Sequence, residues 1–332
     1  MSQFRDIIGQ EKIINHFQTA MKTGQVSHAY ILEGEVGSGK KMLAGAFAKA
    51  LQCESGQEES CGICHSCMMA ESMNHPDIIW VSHEKPNTIS VDDIRSQING
   101  DIGIKPYSGK YKIYIVDQAE KMNEQAQNAL LKTIEEPPAY AVILLLASNT
   151  GAFLSTILSR CITFSLKAVE EEKIVAYIMD KTSLSKEEAE FCAGYSMGNL
   201  GKAMTLATSE QRMEMKKDCV HLLSHIHEME IYEVICYIKE VAKYKDEIIE
   251  FLDMLMIWFH DILVIKTTKS PNRIVFKENY NILSKMTVLM SYEGIQNILY
   301  AFDKVKIRLR ANVNFDVALE LLFLTIKENI VW

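Results

Sequence analysis

The stretch Ile31-Leu32-Glu33-Gly34-Glu35-Val36-Gly37-Ser38-Gly39-Lys40-Lys41 decides the fold, because an apolar strand leads directly into a glycine-rich turn that ends in lysine. This is the layout of a phosphate-binding loop. Gly34, Gly37 and Gly39 leave room for backbone N–H groups to point at a phosphate, and Lys40 begins the next helix, whose dipole adds positive potential. These four residues are the candidate nucleotide-binding residues of the loop.

The loop departs from the motif at the residue after the lysine. Phosphate-binding loops carry Ser or Thr there, since the hydroxyl is a ligand of the Mg²⁺ that accompanies a nucleoside triphosphate. This chain has Lys41 instead, whose ammonium group cannot coordinate a cation and would repel one. The loop is therefore predicted to keep its shape or to hold an anion rather than to support phosphoryl transfer.

The composition bounds the class of protein. A chain of 332 residues, 48% of them hydrophobic, is expected to form two or three domains with sizeable cores. It contains no run of eighteen or more uncharged apolar residues, and its start lacks the layout of a signal peptide, so we expect a soluble cytoplasmic protein that does not enter membranes. The net charge of −8 argues against a surface-wide affinity for DNA or anionic lipid.

Strand and helix patterns alternate in the first half of the chain only. Short apolar strands are predicted at 29–32, 78–82, 112–117 and 142–147, with connections long enough for crossover helices. The predicted fold class is α/β plus all-α, with a parallel sheet covered by helices on both faces. Only helices are expected beyond residue 170. Three domains are predicted, at residues 1–166, 167–208 and 209–332.

Four cysteines form the strongest metal signal, in the spacing Cys53-x7-Cys61-x2-Cys64-x2-Cys67. Four thiolates within fifteen residues suit tetrahedral Zn²⁺, and a site closed by four cysteines is structural. Disulfides are disfavoured in a reducing compartment, and His65 is a lesser candidate ligand. A nucleic-acid-binding zinc module is a weaker alternative, because almost no Lys or Arg lies between the ligands.

Asp117 ends the apolar strand at 112–117, a position where phosphate-loop proteins hold Mg²⁺. The following residue is often a glutamate that activates water, but here it is Gln118, whose amide can orient water and cannot take its proton. Glu120 lies two residues further on and is read as a surface charge. Two interpretations of Asp117 stay open at this level, the remnant of a metal site and a cap at the strand end.

Several stretches match the motifs of one known family. They are Phe4-Arg5-Asp6-Ile7-Ile8-Gly9-Gln10, Lys105-Pro106-Tyr107, Gly109-Lys110-Tyr111-Lys112-Ile113-Tyr114-Ile115-Val116-Asp117, Met122-Asn123-Glu124-Gln125-Ala126-Gln127-Asn128-Ala129-Leu130-Leu131-Lys132-Thr133-Ile134-Glu135-Glu136-Pro137-Pro138, Leu158-Ser159-Arg160-Cys161 and Leu309-Arg310-Ala311-Asn312-Val313-Asn314. Together they resemble the bacterial clamp-loader subunits of the AAA+ superfamily. The resemblance implies an AAA+ phosphate-loop domain, a small helical lid at 167–208 and a helical collar for oligomerisation at 209–332.

Two kinds of subunit in that family share these motifs, the γ/τ motor that hydrolyses ATP and the delta-prime type that usually does not. Lys41 and Gln118 replace active-site residues of the motor, and Gly201 stands where the motor carries a nucleotide-sensing arginine. These departures favour a degenerate ATPase that is not an enzyme by itself. A γ/τ-type ATPase is the alternative.

The resemblance also assigns partners and one surviving catalytic residue. Arg160 matches the arginine finger that such subunits present to ATP bound by a neighbour, although an isolated Arg160 would more simply pair with a carboxylate at a helix end. Asn149 matches a sensor position and is equally an ordinary turn residue. The implied partners are γ/τ and delta subunits in a heteropentamer that loads the sliding clamp onto primed DNA during replication by DNA polymerase III.

Overall fold

The computed structural model describes residues 3–83 and 85–330, so the extreme ends of the first and third predicted domains, 1–2 and 331–332, lie outside the described residues. The chain divides into two compact units. The first runs to Lys173 and also contains Gly198–Lys202, and the second contains Ile174–Met197 and the described residues from Ala203 onward. The division into three domains stays a prediction.

The first unit is built on a five-stranded sheet in which every pairing is parallel. The strands are β1 Ala29–Glu33, β2 Ile78–Val81, β3 Lys112–Val116, β4 Ala141–Ala147 and β5 Ile162–Ser165. Their order is β2-β3-β4-β1-β5, and Tyr30 of β1 pairs with Leu144 of β4 and Ile162 of β5. The predicted parallel sheet is confirmed, but the sequence analysis missed β5.

Helices cover both faces of this sheet, as predicted. They are α1 Glu11–Thr23, α2 Lys40–Leu51, α3 His65–Glu71, α4 Val91–Ile94, α5 Glu124–Glu135 and α6 Ser155–Leu158. Helix α4 continues as a π-helical turn over Arg95–Asn99. Because side chains alternate along a strand, successive residues enter different cores. Tyr30 packs in one buried cluster with Phe17 of α1 and Phe47 of α2, whereas Ile31 packs in another with Leu130 of α5.

From residue 171 onward the described residues contain no strand, as the sequence predicts, and short 3₁₀-helices at Ala242–Glu247, Pro271–Arg273 and Lys277–Asn279 lie between longer α-helices. The α-helices are α7 Glu171–Lys181, α8 Lys186–Ser196, α9 Leu200–Ala207, α10 Glu210–His225, α11 Ile231–Val241, α12 Ile248–Thr268, α13 Tyr280–Leu289, α14 Tyr292–Arg310 and α15 Phe315–Glu328. Helix α12 is buried along most of its length and contacts α10, α13 and α14. Over the part of the chain that the structure describes, no helix combines the length and apolar character needed to cross a bilayer.

Candidate nucleotide site and metal centre

The glycine-rich loop connects β1 to α2, as its sequence predicts. Gly37 and Gly39 adopt left-handed backbone angles, with φ of +88° and +96°, which residues with a side chain rarely adopt. Gly34 does not need that conformation, but a β-carbon there would lie 2.7 Å from the Ser38 hydroxyl. The Gly34 N–H donates to the Ala147 carbonyl at 3.0 Å, so the loop leaves the sheet beside β4.

Lys40, the lysine of the motif, folds back onto the loop that precedes it. Its ammonium group donates to the backbone carbonyls of Gly34 and Glu35, the latter at 2.8 Å. Burial lowers the pKa of Lys40, and the nearby carboxylates of Glu120 and Asp117 oppose that effect. The lysine thus takes its hydrogen-bond acceptors from the protein itself.

Lys41 forms an ion pair with the acidic residue at the end of β3. Its Nζ lies 2.8 Å from Oδ2 of Asp117, although β4 separates β3 from β1 in the sheet. In a functional phosphate loop this is the region where a hydroxyl and a carboxylate share a magnesium ion. Here an ammonium group contacts the carboxylate directly.

Gln118 and Glu120 follow Asp117 at this edge of the sheet. Gln118 has a left-handed backbone with φ of +51°, which is uncommon for a residue with a side chain. Glu120 accepts a hydrogen bond from the Ser148 hydroxyl at 2.6 Å, while its second oxygen is buried and has no hydrogen-bond partner among the described residues. Glu120 is therefore a half-buried part of the site rather than the surface charge that the sequence suggested.

The segment Gly198–Lys202 lies directly against the loop, a contact that sequence reasoning missed. The Gly201 N–H donates to the Gly37 carbonyl at 3.0 Å, and the Asn199 amide donates to the Val36 carbonyl at 2.8 Å. A β-carbon on Gly201 would lie 2.5 Å from the Gly37 oxygen. No side chain, and so no sensing arginine, fits at residue 201 in this arrangement.

A cavity of about 350 Å³ remains beside the loop, bounded by Lys40, Lys41, Asp117, Glu120 and Gly201 among others. Pockets of about this size can hold a small ligand. The lining contains two lysines from the start of α2, so the cavity could accept an anion. The carboxylate of Asp117, which lines the same cavity, is paired with Lys41.

Arg160 follows α6 on the surface of the first unit, with 39% of its side chain exposed. One guanidinium nitrogen lies 3.0 Å from Glu135, the last residue of α5, and another donates to the Thr156 carbonyl at 3.0 Å. The pairing with a helix-end carboxylate is therefore present, and the group is still accessible. Asn149 accepts a hydrogen bond from the Gly151 N–H at 2.7 Å, as an ordinary turn residue would.

The four predicted cysteine ligands come together at one point. The sulfur atoms of Cys53, Cys61, Cys64 and Cys67 all lie within 4.8 Å of one another. Four sulfurs at the usual zinc distance of about 2.3 Å would be separated by about 3.8 Å, so the donor set fits a tetrahedral metal ion. The cluster could bind a metal, and His65 is exposed and does not belong to it.

Local hydrogen bonds favour the thiolate form of two of these cysteines. Burial raises the pKa of Cys53, but hydrogen bonds from Ser55 and Cys61 outweigh this effect and lower it to about 6. Backbone N–H groups of Ile63 and Cys64 lower the pKa of Cys61. Burial raises the pKa of Cys67, and the neighbouring sulfurs add to that rise. The pKa of Cys67 is thus raised while those of Cys53 and Cys61 are lowered. A divalent cation would stabilise all four cysteines as thiolates.

A buried polar network behind the cysteines was missed by the sequence analysis. The Ser66 hydroxyl donates to the Gln52 carbonyl at 2.7 Å and lies 3.0 Å from Nε2 of His75. Nδ1 of His75 accepts the Asp77 N–H at 3.1 Å. These residues are separated in sequence and carry no motif, so only their burial identifies them.

Known proteins similar to this chain are subunits of DNA polymerase III. The sequence profile of the family described as "DNA polymerase III, delta subunit" matches residues 9–170. The delta' subunit of Bacillus subtilis is 25% identical over 324 residues, with 96% of each chain covered. The tau subunit of Bacillus subtilis is 27% identical over 345 residues, which cover 95% of this chain and 60% of that protein.

A third relative has higher identity over a shorter stretch. The tau/gamma subunit of Haemophilus influenzae is 35% identical over 189 residues, or 56% of this chain. The chain spans only 27% of the length of that protein. The relatives thus include both delta' and tau/gamma subunits, and sequence similarity alone does not choose between them.

Proposed function

Because the chain belongs to the clamp-loader family of DNA polymerase III, within the AAA+ proteins, we propose that it is a subunit of the delta-prime type that does not hydrolyse ATP. It would cap a ring of ATPase subunits and contribute Arg160 to the ATP site of a neighbour. Its partners would be γ/τ and delta subunits in a five-membered assembly that loads the sliding clamp onto primed DNA.

The observation that carries this proposal is the ion pair between Lys41 and Asp117, with 2.8 Å between the ammonium nitrogen and the carboxylate oxygen. Phosphoryl transfer needs Mg²⁺ to bridge the terminal phosphates and to offset their developing charge. Lys41 replaces the hydroxyl that would bind the ion, and its ammonium group repels a cation beside the carboxylate. Without a general base at Gln118, the loop keeps its shape but lacks the groups that would activate water.

Arg160 would act on ATP bound by a neighbouring subunit and not on a nucleotide in this chain's own phosphate loop. A rigid guanidinium aimed at a γ-phosphate stabilises the charge that develops in transfer, an effect typically worth about 10³ or more in rate at the site it serves. Arg160 is exposed, and its only carboxylate partner among the described residues, Glu135, is itself about half exposed. Exposed ion pairs are weak, about 0–1 kcal/mol, so a neighbouring phosphate could displace Glu135.

Reconstitution with γ/τ and delta subunits tests the role of Arg160. The complex with Arg160→Ala should form with the same mass as the native complex and hydrolyse ATP more slowly when primed DNA is present. Arg160→Lys should also be slow, because lysine lacks the planar fork. Glu135→Gln frees the guanidinium and should leave the rate close to native. An Arg160→Ala complex with unchanged DNA-stimulated hydrolysis would remove the assignment.

For the cysteine cluster we propose structural Zn²⁺ held by Cys53, Cys61, Cys64 and Cys67. Four sulfur donors and no open position suit a closed site that stabilises the local fold. Metal analysis of the purified chain should give one zinc per chain, and a chain that is fully folded and free of metal would exclude the site.

The second candidate function is a γ/τ-type ATPase. Lys40, the two left-handed glycines and the cavity beside them favour it, because they are the parts of a phosphate loop that contact the nucleotide itself. Turnover of Mg-ATP by the isolated chain, abolished by Lys40→Ala, would support this function instead.

A further inference from the structure

The loop formed by residues 104–110, between the turn after α4 and strand β3, projects an unusual set of side chains. Tyr107 is 88% exposed and Ile104 is 62% exposed. In the sequence Lys105 precedes and Lys110 follows Tyr107, and both lysines are exposed. Exposed apolar side chains that form a contiguous surface, unlike single ones, are candidates for contact residues.

The backbone of the 104–110 loop is held by one buried carboxylate. Asp77 accepts the N–H groups of Tyr107, Ser108 and Gly109 at 2.7, 2.8 and 3.1 Å. The Ser108 hydroxyl donates to the same carboxylate at 3.2 Å. Burial raises the pKa of Asp77, but the hydrogen bonds from these N–H groups outweigh burial and leave the pKa below its usual value, which favours the ionised carboxylate.

A buried lysine holds the start of the same loop. Lys112, in β3, is buried and donates from its ammonium group to the carbonyls of Asp101 and Ile104 at 3.0 and 3.2 Å. The carboxylate of Asp101 pairs with the same ammonium group at 2.8 Å. The loop is therefore preorganised at both ends, which reduces the entropy lost when it meets a ligand.

The cysteine cluster supports this loop through the buried network already described. Ser66 lies next to Cys67 and contacts His75, whose ring accepts the backbone N–H of Asp77. Gln52, next to Cys53, donates from its amide to the Tyr111 carbonyl at 2.5 Å. Gln52 and Ser66, the neighbours of two cluster cysteines, are thus linked by hydrogen bonds to Tyr111, directly after the 104–110 loop, and through His75 to Asp77, which holds the loop.

The charge of the loop selects a class of ligand. The sequence has no Asp or Glu from residue 102 to residue 116, in a chain whose net charge is −8. Lys105 and Lys110 have no carboxylate partner among residues 3–83 and 85–330, and the ammonium group of Lys110 lies 5.2 Å from the centroid of the Tyr111 ring. Lysine is depleted in protein–protein interfaces, while two exposed lysines within three residues of an exposed tyrosine suit the phosphates and base of a nucleic acid.

We propose that the 104–110 loop is a contact site for single-stranded nucleic acid, in which the Tyr107 ring stacks on a base and Lys105 and Lys110 contact the adjacent phosphates. Ile104 adds apolar surface beside the ring. The site goes beyond the proposed function, because it uses none of the residues of the phosphate loop and does not depend on the role of Arg160. The cysteine cluster positions the loop and does not itself contact the strand.

The test is the fluorescence anisotropy of a labelled oligothymidylate of about 15 nucleotides, titrated with the full chain at about 50 mM salt. Native chain should bind, and Tyr107→Ala should weaken binding about tenfold or more, with Tyr107→Phe close to native because the ring remains. Replacing both Lys105 and Lys110 by Ala should reduce the slope of log affinity against log salt by about 1.4.

Tyr232→Ala is the matched control, since Tyr232 is also exposed, at 66%, but stands beside acidic residues. It should bind the oligonucleotide as the native chain does. The proposal is overturned if the native chain shows no salt-dependent binding, or if Tyr107→Ala binds like native. It is also overturned if Tyr107→Ala leaves oligonucleotide binding intact and instead weakens assembly with other subunits, which would identify a protein interface.

The variant Asp77→Asn tests whether the strand recognises the closed conformation of the 104–110 loop or only its side chains. The amide would place a donor against the N–H groups of the loop, so hydrogen exchange at residues 107–109 should accelerate and oligonucleotide binding should weaken. Circular dichroism and metal content should stay native, which shows that the chain is folded. Faster exchange with native binding would show that the closed loop is not what the strand recognises.

Discussion

The phosphate loop and the cysteine cluster lie in the same unit, and they differ in what each needs from outside. In the loop, Lys40 contacts backbone carbonyls, Lys41 contacts Asp117, and Gly201 contacts Gly37. Each charged group there already has a partner in the protein. In the cluster, four sulfur atoms, all possible metal ligands, lie within 4.8 Å of one another.

This difference indicates which of the two regions depends on a ligand to keep its structure. The glycine geometry of the loop depends on backbone conformation, which the sheet and α2 maintain whether or not a nucleotide binds. The cluster depends on its donor set, since thiolates at such short separation repel one another without a metal ion. The comparison predicts that the loop tolerates the absence of its ligand and that the cluster does not.

The largest effect is expected from the cluster. Cys64→Ser removes one of four ligands and should abolish stoichiometric metal binding, with a loss of about 5 kcal/mol in the free energy of unfolding. Metal analysis and denaturant unfolding measure both. Cys236→Ser is the matched control, because Cys236 is exposed and outside the cluster. If Cys64→Ser is as stable as Cys236→Ser, the cluster does not depend on a metal.

The network behind the cluster should show the next largest effect. Asp77→Asn should lower the free energy of unfolding by about 2–3 kcal/mol at pH 7, since hydrogen bonds to a charged group are the stronger kind. Its pKa is held below the usual value, so its stabilisation is present above that value and is lost as the pH falls through the folded-state pKa. The difference between native and variant should therefore shrink below about pH 4. A difference that is constant with pH would show that the carboxylate charge is irrelevant.

The contact between Gly201 and the loop should have a smaller effect. Gly201→Ala places a methyl group 2.5 Å from the Gly37 oxygen and should destabilise the unit by about 1–2 kcal/mol, within the usual range for overpacking. Gly103→Ala is the control, because a β-carbon at Gly103 meets no atom within 4 Å. Equal stability of the two variants would mean that the segment does not close on the loop in solution.

The smallest effect is expected from restoring the hydroxyl in the loop. Lys41→Thr frees Asp117 and supplies a metal ligand, so Mg²⁺ should tighten ATP binding about tenfold, or about 1.4 kcal/mol, relative to binding without metal. Isothermal titration with and without Mg²⁺ measures the ratio. The native chain should show no such gain, and Lys41→Ala serves as the control that removes the ammonium group without adding a ligand. An equal gain in Lys41→Ala would assign the effect to lost repulsion alone.

The sequence predicted the parts of this molecule that depend on local pattern. The glycines and Lys40 predict the phosphate loop, and the apolar run of β3 predicts a buried strand. The cysteine spacing predicts four ligands within fifteen residues. The fifth strand was missed because Ile162–Ser165 is a short, largely exposed edge strand, so it lacks the apolar run of a central strand.

The interactions that sequence reasoning missed join residues far apart in the chain. Asn199 and Gly201 meet the loop from more than 160 residues away, and no periodicity or motif signals that approach. His75 and Asp77 are single polar residues between a helix and a strand, and their role becomes visible only through their burial and their partners. The ion pair of Lys41 with Asp117 was not anticipated either, although both residues had been singled out.

The most direct test of the account is the turnover of Mg-ATP by the isolated native chain, compared with Lys40→Ala. No hydrolysis above background is expected in either protein, because Lys41 replaces the hydroxyl ligand of the metal ion and its ammonium group repels a cation. Hydrolysis by the native chain that disappears in Lys40→Ala would contradict it, since the loop would then still perform the chemistry of its motif.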